Sequence, residues 1–282
     1  MRPVRLTLIT LVLFVSGVPL LCQHLAAFHN NLGYFFVFDH GEIKQLEYLK
    51  TNGYSIGGNC MLYKDSRNRL KLYYNGQVTE LEINNISDFV ALDYLAVYSY
   101  AGIIKIIENG KVNTINTHAL HYYAEDSLVA FYDDAQSFLA AYYKGKIFLL
   151  EDGLVSYPPS SFRCGDNIIA YISNRTGDLM VFYQGHTFSL EPFVSESSFN
   201  AGKDIVAYIN PADQKFKVFY KGKTYTIEDY PPISYKVGDG IVAYVDNTER
   251  FKVFDGSQVI DLSNSVPGFY DVQNRIVVFE EQ

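Results

Sequence analysis

From Leu32 to the end of the chain, short apolar runs rich in β-branched and aromatic residues alternate with polar turns that carry glycine. The clearest copy of the pattern is Ile241 to Ser263, IVAYVDNTERFKVFDGSQVIDLS. Its three runs return as IVAYIN, FKVFYKG and KTYTIE between Ile205 and Glu228, and as IIAYIS, LMVFYQG and HTFSLE between Ile168 and Glu191. In the last full copy the pattern predicts strands at Ser234 to Val237, Ile241 to Val245, Phe251 to Phe254 and Val259 to Leu262. Gly238 to Gly240, Asp246 to Arg250 and Asp255-Gly256 supply the turns, and Asp-Gly suits the positive φ angles of a tight hairpin. The third and fourth runs alternate apolar and polar residues. The second is apolar throughout, which requires burial on both faces.

Repetition with a period near 36 residues, each unit a four-stranded sheet that cannot bury both faces alone, predicts an all-β propeller. Two markers count the units. An aromatic ends the second run at Tyr63, Tyr98, Phe131, Tyr171, Tyr208, Tyr244 and Phe279, and a glycine follows the third at Gly41, Gly76, Gly110, Gly145, Gly185, Gly222 and Gly256. Each series has seven members. Leu32 to Asp39 and Glu42 to Glu47 match a third and fourth strand, whereas Phe269 to Val272 and Ile276 to Phe279 match a first and second. The expectation is therefore a seven-bladed propeller whose last blade is closed by pairing the N-terminal and C-terminal half-blades, Ile276 to Phe279 lying against Tyr34 to Phe38.

The order of first strand, Gly-Asp turn, IVAY strand, polar turn, FKVF strand, Asp-Gly turn and VIDLS strand resembles the repeat of TolB-like and WD40-like propellers over about Leu32 to Gln282. The chain departs from them in having no tryptophan, and in carrying Val-Gly-Asp-Gly or Cys-Gly-Asp-Asn where the TolB-like repeat has Ser-Pro-Asp-Gly. The resemblance implies the fold, brings no catalytic residues with it, and implies binding of proteins, peptides or sugars.

The first residues differ in kind. Arg2 and Arg5 precede an apolar stretch from Leu6 to Leu21 interrupted by Gly17 and Pro19, the layout of a secretory signal peptide spanning residues 1–26. The remaining residues, 27–282, read as a single domain, secreted or periplasmic. Lipid anchoring at Cys22 is the less favoured variant, because Leu21 precedes it. Loss of the leader leaves 21 basic against 31 acidic side chains, a formal balance of −10, which argues against nucleic acid and, after cleavage, against anionic membrane surfaces. Cys60 and Cys164 lie at non-equivalent places in different repeats and read as buried free thiols.

Turns joining strands one to two and three to four are short and uniform, whereas those joining two to three and four to the next blade vary, which makes the second set the expected binding face. Its candidates are Arg67, Arg69, Asp133, Asp134, Tyr157, Arg175, Asp178, Tyr230 and Arg250. Arginine and tyrosine offer flat faces with hydrogen-bonding edges. His118 and His121 lie at zinc-like spacing but without a helix to hold them together, so no metal and no cofactor is expected. Glu47, Glu82, Glu151, Glu191 and Glu228 recur at the end of the fourth strand and follow from repetition alone. With no nucleophile motif present, the reading is a non-catalytic binding or scaffold module for a protein, peptide or glycan. A polysaccharide lyase or glycoside hydrolase with its site at the mouth of the central channel is the alternative.

Overall fold

The computed structural model describes residues 11–13, 25–84, 86–118, 122–133, 135–153, 162–195 and 197–281. Regular structure among them is entirely β and forms eight sheets, six of four strands and two of three. They fall in two compact units, residues 18–155, and 1–17 with 156–282. The first unit holds blades 1 to 4, at residues 25–47, 54–83, 86–118 and 122–151. The second holds blades 5 to 8, at 162–192, 199–228, 234–263, and 269–280 together with Leu11–Leu13.

The apolar second strands are buried as the pattern requires: Cys60–Lys64, Leu95–Tyr100 and Val242–Val245 are inaccessible almost throughout, whereas the fourth strand Gln77–Ile83 is largely exposed. Within each unit the core lies between successive blades. Phe35 and Val37 of blade 1 pack on Tyr63 and Tyr73 of blade 2, Val97 and Ile106 of blade 3 on Phe131 of blade 4, and Phe216 and Val218 of blade 6 on Tyr244 and Phe254 of blade 7. First strands approach so closely that only glycine fits. A Cβ on Gly165 would lie 2.3 Å from the Gly202 carbonyl oxygen, one on Gly202 would lie 2.2 Å from that of Gly238, and one on Gly238 would lie 2.3 Å from that of Asn274.

The seven-blade expectation fails. Leu25–His29 is a second strand in front of Phe35–Asp39, registered Leu25↔Asp39 to His29↔Phe35, and Leu25 is buried. Phe28 thus belongs to the recurring aromatic series as an eighth member, 35 residues before Tyr63. Closure of one blade by the two termini fails with it. The edge of Phe35–Asp39 that was assigned to the C-terminal strand is taken by Leu25–His29. Ile276–Glu280 pairs instead with Phe269–Gln273 and with Leu11–Leu13, in register Leu11↔Val278 to Leu13↔Ile276. Leu11–Leu13 and the start of Leu25–His29 lie ahead of Leu32, where the repeat pattern becomes clear in the sequence.

Candidate functional site

Among the described residues every third-to-fourth strand pair carries a register shift at the start of the third strand, just after its first or second residue. Such a bulge re-aims the side chain beside it. It sets Glu47, Glu82, Glu151, Glu191 and Glu228 opposite Phe35, Leu70, Leu139, Leu179 and Phe216. Four of these carboxylates then engage a lysine of the following blade. Glu47 accepts from the Tyr63 hydroxyl at 3.1 Å and from Lys71 at 2.6 Å. Glu228 accepts from Tyr244 at 2.8 Å and Lys252 at 2.7 Å, Glu82 from Tyr98 at 3.3 Å and from Lys105, and Glu191 from Lys217 at 2.6 Å. Burial pushes the Tyr63, Tyr98 and Tyr244 hydroxyls upward, and the neighbouring carboxylates add to it. These four glutamates are therefore blade-to-blade clasps.

The second-to-third turns, where most of the candidates sit, are pinned from below. Asp65 accepts the backbone N–H groups of Arg67 and Arg69 at 2.9 and 3.0 Å. Asp246 does the same for Thr248 and Arg250 at 2.8 and 2.9 Å, and the Ser173 hydroxyl for Arg175 and Thr176 at 3.3 and 3.2 Å. Burial opposes the charge on Asp246, but Lys252 and these N–H groups outweigh it and hold the carboxyl far below its usual range. Asp133, 2% exposed, accepts from the N–H groups of Ala135 and Gln136 and shapes its turn in the same way. Arg69 is consumed locally by Asp65 at 2.6 Å and Glu80 at 2.8 Å. Asp178 accepts from the Ser189 hydroxyl at 3.2 Å. By contrast Arg67, Arg175 and Arg250 are exposed, and their guanidinium groups have no acidic partner among the described residues. Tyr230 is 62% exposed. Asp134 and Tyr157, like His121, lie outside the described residues.

A second class of residue on this face was read from the sequence only at Tyr230, while Leu49 and Phe193 escaped it. Two positions after the recurring glutamate, Leu49, Phe193 and Tyr230 are 63%, 78% and 62% exposed. Their equivalence could have been found by aligning the repeats on the glutamate. Phe193 is also held at φ 57°, a conformation costing an L-residue about 1–2 kcal/mol. Its N–H donates to the Gly177 carbonyl at 3.0 Å, and its ring lies over Gly177 on the turn that carries Arg175.

The opposite face of blades 1 and 2 has a cleft of about 530 Å³ lined by Asp39, His40, Glu42, Lys44, Asn59 and Asn75. Asp39 accepts from the Tyr73 hydroxyl at 2.6 Å and from the His40 ring at 2.5 Å. Burial opposes its charge, and these two donors overcome it and lower its pKa. Its Oδ2 thereby ties blade 1 to Tyr73 of blade 2, while its Oδ1 is held by the neighbouring His40. Among the described residues no three His, Cys, Asp or Glu side chains converge as a metal site would need. Cys60 and Cys164 form no disulfide. Burial pushes the Cys60 thiol up to about 11, and Cys164 is only half-buried.

Solved structures similar to the chain include the computationally designed Ika8 protein, with 16% identity over 98% of this chain and 93% of that one and a TM-score of 0.39. Prp20p from Saccharomyces cerevisiae has 8% identity over 83% of each chain and a TM-score of 0.39. Human WBSCR16 has 9% identity over 85% of this chain and 89% of that one and a TM-score of 0.40. No curated protein matches. A family model does: it describes a ten-bladed propeller, and with the eight sheets formed by the described residues it overturns the seven blades that the repeat count predicted. With residues 20–282 matched by that model, the chain belongs to the 10-bladed beta propeller domain family.

Proposed function

We propose that the chain is an exported, non-catalytic binding or scaffold module that engages a protein, peptide or glycan through the face of its second-to-third turns and inter-blade loops. A propeller domain of this family fits a binding or scaffold role. One observation carries the choice of face: Arg67, Arg175 and Arg250 are exposed and lack acidic partners, on turns fixed by Asp65, Ser173 and Asp246. A cation held rigidly in water gains a strong contact on binding at small entropic cost. Export is proposed from the basic and apolar stretch of residues 1–26, which reads as a leader. N-terminal sequencing of the secreted chain checks that reading. For the face, a photo-crosslinking amino acid at Arg67 or Arg175 is compared with one at Gln184 or Lys221, on third-to-fourth turns. In envelope extract, adducts should form from the first pair, and adducts confined to the second pair overturn the proposal.

A further inference from the structure

The Phe193 ring stands in water on a backbone conformation that disfavours any residue with a Cβ, and a bulky aromatic most of all. Burial does not repay that strain. Strained residues persist where the surrounding structure imposes them and cluster at ligand-contacting positions. Here the imposition is visible, since the Phe193 N–H is tied to the Gly177 carbonyl and a Cβ at Gly177 would stand only 3.6 Å from the ring. Two residues before Gly177 lies Arg175, exposed and without an acid. Tyr230 in the next blade stands at the same offset from Glu228 as Phe193 does from Glu191, and Ile233, 61% exposed, follows it across two prolines. Blades 5 and 6 thus present one exposed aromatic each, with a free cation beside the first.

We propose, building on the binding face argued above, that Phe193, Arg175 and Tyr230 form a docking strip for an extended acidic peptide segment bearing two apolar side chains. Neighbouring sheets pack about 10 Å apart, and an extended chain rises roughly 3.3 Å per residue. Apolar residues four apart on one peptide share a face and therefore reach the two aromatics, with the acidic residue midway between them on that face toward Arg175. The free cation supplies the charge complementarity that selects an acidic segment. Two separated rings with a single arginine match a strand of peptide better than a lipid surface, which calls for a continuous apolar face with several cations.

The test is fluorescence anisotropy of a fluorescein-labelled peptide, Asp-Leu-Asp-Glu-Asp-Phe-Glu, titrated with the full chain. Saturable binding is expected that weakens with salt. It should fall about 10-fold or more in Phe193→Ser, Tyr230→Ser and Arg175→Glu, as for anchors at a small interface. Phe193→Asn, a residue that tolerates the left-handed region, should melt no lower than the parent while losing the peptide. A peptide with lysine in place of each acid should not bind. The proposal is overturned if the parent chain shows no saturable binding, if the variants bind as well as the parent, or if phosphatidylcholine–phosphatidylserine vesicles are bound through Phe193 in place of the peptide. Absence of peptide binding while crosslinks still form at Arg175 rejects the strip and leaves the face. Crosslinks confined to Gln184 and Lys221 reject both.

Discussion

A tyrosine hydroxyl at the end of the second strand is stabilised only when the preceding blade offers it an acceptor, and blades 6 and 7 differ in this one respect. Tyr244 donates to Glu228 at 2.8 Å. Tyr208, at the same repeat position and equally buried, lies near Glu191 and Thr224 without completing a hydrogen bond of good geometry. A hydrogen bond to a charged group contributes about 1.5–3 kcal/mol, whereas a buried hydroxyl without a partner costs about 1–3 kcal/mol. Tyr244→Phe is therefore expected to lower unfolding free energy by about 1–2 kcal/mol, and Tyr208→Phe to leave it unchanged or raise it. Urea denaturation of the two variants measures the difference. Equal losses in both would show that the ring, and not the bond to glutamate, is what the position contributes. The five glutamates were visible as a series in the sequence, but their role was not, because their partners lie 16 to 26 residues later and in the next sheet.

Strands meet at the first-to-second turns, where backbone approaches backbone. Gly202 lies between Gly165 and Gly238, and a methyl group there would stand 2.2 Å from the Gly238 carbonyl oxygen, a contact that only separation of blades 6 and 7 could relieve. Gly202→Ala should cost about 1–3 kcal/mol, in the range of overpacking. Gly222, at φ 83° with nothing within 4 Å of an added Cβ, provides the comparison: there alanine meets conformational strain alone, about 1 kcal/mol. Thermal melts of the pair separate the two effects, and an equal response would remove the close approach as the reason for Gly202. The Gly-Asp dipeptide was legible as a turn. Its real constraint was not, since a glycine needed for inter-sheet contact looks in sequence like one needed for a hairpin. Strand types were likewise legible from alternation and continuous apolarity, and the blade total was not. Leu11–Leu13 lies inside an apolar stretch that has a second valid reading as a leader, and Leu25–His29 begins within the residues 1–26 so read. The arginine-bearing turns could be placed by repeat position. The exposed Phe193 could not, because its significance rests on a φ angle.

For the whole chain, buried titrating groups of opposite kind set the two pH limits of stability. Asp39, Asp65, Asp246 and Asp255 all lie below the ordinary aspartate value of 3.8: burial raises each, and the N–H, hydroxyl and lysine or histidine donors around them outweigh it. A carboxyl depressed on folding contributes stability above its unfolded pKa, and that stability drains away as pH falls through the folded value. At the alkaline end the sign reverses. Tyr63, Tyr73, Tyr98 and Tyr244 are raised above 10.0, first by burial and then by the Glu47, Asp39, Glu82 and Glu228 carboxylates, and burial with the Glu108 bond pushes Tyr142 to about 12. These groups favour the folded state while protonated. The contribution is complete below pH 10 and is lost as pH climbs through the folded values, because the unfolded chain gives up its protons first. The urea midpoint should therefore be flat between about pH 5 and pH 9 and fall on either side. On the alkaline side, tyrosinate absorbance near 295 nm should rise in the same cooperative step in which the sheet signal in circular dichroism is lost, since a clasped hydroxyl cannot ionise until blades separate. If most of the tyrosine absorbance instead appears gradually around pH 10 while circular dichroism stays native, the clasps do not hold the hydroxyls and the fold owes its alkaline limit to something else.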